Sequence, residues 1–173
     1  PNLTMGNSAP QPGESFMTHF AAWQSEGASG ANQTWDFSNL VSDSSKTFNW
    51  VDPTMTPNGA SFPTADVAQE DPGAGFVYFD YGNGDMEYIG ADANGLLVEQ
   101  TDPEINLKFP CTFGTTWTDT QAGTIPFGGT RAGTTNGDAD AYGTLILPWG
   151  TVTDVLRVHL AQDYTDNIII TID

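Results

Sequence analysis

The spacing of turn signals constrains this chain most. APQPGES, SEGASGAN, DPTMTPNGA, QEDPGAG, GNGD, DANG, TDPE, FGG, NGD and PWG punctuate the sequence at intervals of roughly 8–12 residues. Gly, Pro, Asn and Asp collect at such points because each tolerates or imposes backbone dihedrals that end a regular element. Only short runs fit between them, and those runs are rich in aromatic and β-branched residues. A chain cut this often leaves little room for helices, so its segments must pair edge to edge. That pattern predicts an all-β fold. We expect an antiparallel β-sandwich, jelly-roll-like, with a distorted β-barrel as the alternative.

The expected strands are Ser15–Phe20, Thr34–Phe37, Thr47–Val51, Gly75–Tyr81, Met86–Ile89, Leu96–Glu99, Asn106–Phe109, Thr115–Thr120, Arg131–Thr135, Tyr142–Leu147, Val155–Ala161 and Asn167–Ile172. One segment has two readings. Val152, Val155, Leu156, His159 and Leu160 also fit helical spacing. Pro148 and Gly150 favour a turn into a strand, which puts Leu156, Val158 and Leu160 inside and Arg157 and His159 outside. TLILP at 144–148 is nearly continuous in apolar residues and is expected to be central.

The stretch YFDYGNGDMEYIGADANG, residues 78–95, resembles a calcium loop at first sight. A turn centred on Asn83-Gly84 explains it better. That centring pairs Phe79 with Tyr88 and Val77 with Gly90 on an apolar face, and Asp80 with Glu87 on the other. Asp92-Ala-Asn-Gly lacks the further ligands and closing Glu of an EF-hand loop. The calcium idea therefore narrows to Asp80, Asp85 and Glu87, and no metal or other cofactor is assigned.

The 173 residues suit a single domain, 1–173, long enough to bury a core. Its opening PNLTMGNSAP reads as a mature or trimmed start, and its abrupt end on NIIITID suggests a fragment of a longer secreted protein. Ten Phe, five Trp and five Tyr are too many for a disordered chain. No run approaches the roughly 20 apolar residues of a membrane helix, so no membrane insertion is expected.

Four Lys and Arg stand against 22 Asp and Glu, a formal net charge of −18. Such a surface repels nucleic acid and anionic membranes. It suits salty surroundings, where screening weakens self-repulsion.

Motifs that carry chemistry are scarce. Cys111 lies among apolar neighbours in LKFPCTFG and reads as a buried, inert thiol. His19 and His159 fall in no zinc spacing and read as surface residues on strands. GGTRAGTT at 128–135 has P-loop spacing but lacks the phosphate-reaching Lys, so strand-connecting glycines are the better reading. Glycoside hydrolysis needs a pair of carboxylates, and the sequence nominates none. Trp23, Trp35, Trp50, Trp117 and Trp149 could form a sugar-stacking platform, but Trp in short strands reads more readily as core. Trp149, in the PWG turn, is the best candidate for an exposed sugar-stacking ring.

Three blocks, SGANQTWDFSNL at 29–40, LKFPCTFGTTWTDTQ at 107–121 and GTLILPWGTVTDVLRVHL at 143–160, resemble segments of secreted proteins of Bacteroidetes-type bacteria associated with type IX secretion. The resemblance implies an extracellular or cell-surface all-β module with no assigned catalytic role, and it offers no functional residues to carry over. The sequence reading leans against an enzyme. It expects a non-catalytic binding or interaction module, with a glycan or cell-surface protein as partner. A structural spacer domain and a two-carboxylate glycan hydrolase are the alternatives. It sets no oligomeric state.

Overall fold

A computed structural model of the chain describes residues 1–168. The strands are β1 (Asn2–Leu3), β2 (Ser15–Ala21), β3 (Gly30–Asp36), β4 (Ser42–Val51), β5 (Val67–Asp71), β6 (Gly75–Asp80), β7 (Met86–Ala93), β8 (Leu96–Leu107), β9 (Cys111–Thr112), β10 (Thr116–Ile125), β11 (Gly129–Leu147) and β12 (Gly150–Asn167). One helical turn, α1 (Met5–Ser8), and three short 3-10 turns complete the described residues. The expected strand over 167–172 falls mostly outside them.

The molecule is all-β, in the sandwich class expected from the turn spacing, and its sheet does not close into a barrel. One path runs β12-β11-β10-β8-β7-β6-β5-β4-β2, almost all of it between antiparallel sequence neighbours. The jelly-roll likeness goes no further than this layered antiparallel packing, since the strand order is that of a meander. β3 is the exception: it pairs in parallel with the second half of β11 (Thr144↔Thr34, Leu145↔Trp35). The TLILP segment thus lies between β3 and β12, as its apolar run requires.

Two turns show how local chemistry sets register. Asn94 and Gly95 both have positive φ (55° and 92°) and join Ala93 to Leu96, the two-residue hairpin that Asn-Gly favours. Asn83-Gly84 behaves differently from expectation. Gly84 N donates to Tyr81 O at 2.9 Å, so the turn centres on Gly82-Asn83. Phe79↔Tyr88 and Asp80↔Glu87 pair as expected, but a bulge beyond Phe79 shifts Val77 from Gly90 to Ala91.

Other expectations change where polar residues hide a strand. Val67–Asp71 reads as a loop because GlnGluAspPro follows two apolar residues. Val67 and Ala68 are nevertheless fully buried, while Asn49 Nδ2 donates to Glu70 and Lys46 forms an ion pair with Asp71. TDPE is no turn either: β8 runs through Pro103. Leu96–Glu99 and Glu104–Leu107 pair with β7, while Gln100 and Asp102 pair with β10. Pro103 sits where the β7 ladder is interrupted, a place that needs no backbone donor. NGD at 136–138 lies inside β11. There Gly137 leaves room for the Trp117 ring, since a Cβ would fall 2.1 Å from Trp117 Cε2.

Three apolar clusters follow from this sheet. Tyr78, Ala68 and Ile89 face Phe62, which the 52–66 segment brings over the sheet, and Phe62 stacks on Tyr78 at 4.0 Å. The opposite face carries Trp50, Val67 and Phe79, flanked by Val77, Tyr81, Met86 and Tyr88. The third cluster joins Cys111, Trp117 and Ala139 to Ile105, Leu156, Val158 and Leu160. The strand reading of 155–161 therefore holds. No helix among the described residues is long and apolar enough to cross a membrane.

Candidate functional site

The register of β10–β12 builds a face that changes character along its length. Strand alternation puts Trp117, Asp119, Gln121 and Gly123 on one side of β10. Their β11 partners are Gly137, Thr135, Gly133 and Arg131, and the corresponding β12 residues are Leu160, Gln162, Tyr164 and Asp166. The row at Trp117 and Leu160 belongs to the third apolar cluster. The next rows are polar. Thr118, Thr120, Thr134 and Asn136 point the other way and are exposed, so the polar rows lie on the inner face.

Opposite these rows stand Val77 of β6, Tyr88 of β7, and Glu104 and Asn106 of β8. With Gln121, Arg131, Gln162 and Tyr164 they enclose a cleft of about 280 Å³. Liquid water takes about 30 Å³ per molecule, so the cleft has room for roughly nine waters, or one sugar-sized group. Its floor is buried: Glu104 is 4% exposed, Gln121 3% and Thr135 0%. Tyr164, at the mouth, is 49% exposed.

The floor is wired through Glu104. Thr135 Oγ1 and Gln162 Nε2 both donate to Glu104 Oε1, and Gln121 Nε2 reaches Thr135 Oγ1 at 3.5 Å. No hydrogen bond among the described residues reaches Glu104 Oε2, and no cation is salt-bridged to Glu104. Arg131 is committed elsewhere: its Nε and Nη2 donate to Asp166 at 2.7 and 2.8 Å, and its guanidinium lies 4.1 Å from the Tyr164 ring centre. That hydrogen bonding holds the Asp166 carboxyl below the usual range. Asn106 Oδ1 is buried without a hydrogen-bond partner. Burial pushes the Tyr88 hydroxyl up to about 12; Arg131 opposes the shift and Glu104 adds to it. Tyr88 therefore keeps its proton at neutral pH and can donate. The lining offers a polar cavity with fixed acceptors, the buried Tyr88 hydroxyl as a donor and two aromatic rings. Glu104 is its one carboxylate outside an ion pair, so the lining does not assemble the pair that glycoside hydrolysis needs.

Residues nominated from the sequence are distributed differently. Asp80, Asp85 and Glu87 do not converge on a shared ligand. Asp80 Oδ1 accepts from Gly82 N at 2.6 Å, and Asp85 accepts from Lys108 Nζ at 3.0 Å and Phe109 N at 2.9 Å. Glu87 accepts from Asn83 Nδ2 at 3.1 Å. Glu87 is buried, with the Asn83 amide as its donor. Among the described residues, no group of three or more His, Cys, Asp or Glu is arranged to hold a metal ion.

Cys111 is fully buried, which pushes its thiol up, and it pairs across to Leu3 in the β1–β9 ladder. Trp35, Trp50 and Trp117 are core, while Trp149 is 59% exposed in its turn and packs at a tilt of 35° against His19, 4.4 Å between ring centroids. His159 is exposed. Arg157 reaches back from β12 to pair with Asp140 and to donate to Glu26 O and Gly27 O.

Sequence reasoning missed the cleft. Glu104 sat in an apparent turn, Gln121 and Gln162 belong to no motif, and Arg131 was weighed only against a P-loop. One signal was available: β8 alternates Glu104 and Asn106 against Ile105 and Leu107, so a charged and an amide side chain share a face opposite an apolar one. Comparison with protein-family models, curated proteins and solved structures finds no match to this chain.

Proposed function

We propose that this domain is a non-catalytic binding module of an extracellular or cell-surface protein, and that its cleft receives the end of a glycan. The cleft itself is the observation that carries the reading. Amide and carboxylate groups are fixed around a sugar-sized volume, and the Tyr88 and Tyr164 rings offer faces for C–H surfaces. Proteins spend folding energy on burying polar groups only where those groups find partners, and a polyhydroxylated ligand supplies them. The acidic composition and the sequence resemblance support the extracellular setting. The binding reading is favoured over the spacer reading because a spacer has no use for a polar cavity. It is favoured over the hydrolase reading because one carboxylate stands where two are required.

The test is retention on a panel of immobilised neutral, amino and uronic polysaccharides. Wild type is expected to bind at least one class. A Gln162→Ala/Tyr164→Ala double variant, which removes one donor to Glu104 and the ring at the cleft mouth, is expected to lose that binding while remaining folded by circular dichroism. Failure of wild type to bind any of them overturns the reading, and so does full binding by the double variant.

A further inference from the structure

Resting on the glycan reading of the cleft, we infer that its preferred occupant is an amino sugar with a free primary ammonium, seated against Glu104. Three observations converge. Glu104 is almost fully buried, yet among the described residues no ion pair neutralises it and none hydrogen-bonds to Oε2. A buried carboxylate without a counter-charge is costly, and a bound cation removes that cost. Asn106 Oδ1, on the same strand face two residues on, is an acceptor with nothing to accept. A group that both carries positive charge and presents several N–H donors matches this pair. Tyr88 and Tyr164 place aromatic faces at the same cavity, which favours a cation further.

Arg131 is the obvious objection, since it also lines the cleft. Its charge is met by both oxygens of Asp166 and its plane lies on Tyr164. Its charge is thereby neutralised by an ion pair, although only two of its five N–H donors are taken, whereas Glu104 has no counter-charge among the described residues. The net charge of −18 adds long-range attraction for a cation and repulsion for an anion. The hydroxyls of a sugar ring then engage the side-chain amides of Gln121 and Gln162, which a bare alkylamine cannot do.

Binding of D-glucosamine, D-glucose, N-acetyl-D-glucosamine, D-glucuronate and L-lysine amide to the whole described protein is measured by calorimetry or NMR titration. D-glucosamine is expected to bind at least tenfold tighter than D-glucose and N-acetyl-D-glucosamine. In Glu104→Gln the tenfold preference for D-glucosamine over D-glucose is expected to disappear. In wild type, added salt is expected to weaken D-glucosamine and leave D-glucose unchanged, a readout that needs no variant. Equal affinity for glucosamine and glucose overturns the inference and leaves the glycan reading standing. Tighter binding of D-glucuronate overturns it in favour of Arg131 as the anchor. L-lysine amide binding as well as D-glucosamine overturns the sugar part. Binding of none of the probes removes the glycan reading together with the inference.

Discussion

Strands β5–β7 and strands β8 and β10–β12 belong to one sheet, yet their inward faces are filled in opposite ways. Around β5–β7 both faces are closed by rings: Tyr78 against Phe62 on one side, Phe79 and Trp50 on the other. Between β8 and β10–β12 the inner face begins at Trp117 as core and then passes to Glu104, Thr135 and Gln121 around a cavity. The backbone pairing is similar in both places. What differs is whether inward side chains fill the space or leave it lined with polar groups. The first arrangement contributes stability, since each fully buried large apolar side chain is worth about 1.5–3 kcal/mol. The second holds polar groups out of bulk water, and we read that cost as the signature of a binding site.

Substitutions sharpen the contrast. The largest effect is expected at Tyr78, which is fully buried, stacked on Phe62 and hydrogen-bonded to Thr56 Oγ1 at 2.8 Å. Tyr78→Ala should cost about 3–5 kcal/mol in urea denaturation. Gly137→Ala, at the boundary of the two regions, forces a methyl into the Trp117 ring and should cost about 1–3 kcal/mol, with a changed Trp emission spectrum. In the cleft, Glu104→Gln should leave stability unchanged or raise it by about 1 kcal/mol, because the variant still accepts from Thr135 and sheds a buried charge. A loss there as large as that of Tyr78→Ala would erase the distinction between the regions.

Tyr88 links the two regions and gives a pH signature. Its folded pKa, raised to about 12, exceeds the unfolded value near 10. Between these values the unfolded chain has released the proton and the folded chain keeps it, so stability falls as pH rises. The contribution is complete below pH 10 and is lost on approaching 12. Tyr88→Phe should remove that part of the slope, measured as a shallower decline of unfolding free energy between pH 9 and 11. Tyr81 and Tyr78, also raised by burial, keep the remainder. The smallest effect is expected at Trp149→Ala, which removes the exposed contact with His19 and should leave glycan affinity within twofold. A large loss there would move the binding surface from the cleft to the β11–β12 turn.

The sequence was informative where one rule acted alone. Turn spacing predicted the all-β class, and alternation placed Leu156, Val158 and Leu160 inside. The Trp residues of short strands proved to be core. It misled where two rules competed. Val67–Asp71 carries the acids of a loop but buries Val67 and Ala68, because on the neighbouring strand Asn49 donates to Glu70 and Lys46 offsets the charge of Asp71. TDPE and NGD carry turn residues inside strands, one at a break in the β7 ladder and one beneath an indole. Such partners are distant in sequence and appear only once the sheet is assembled. The cleft was hidden for the same reason: six strands contribute its eight lining residues, and no two strands carry a motif.

The central claim is that the cleft, and not the exposed aromatic surface, takes the ligand. Backbone amide shifts during titration of the labelled protein with D-glucosamine and with D-glucose test it directly. The account predicts that one or both sugars shift residues around Glu104, Gln121, Arg131 and Tyr164 while His19 and Trp149 stay still. Shifts confined to His19 and Trp149, or no shifts with either sugar, would contradict it.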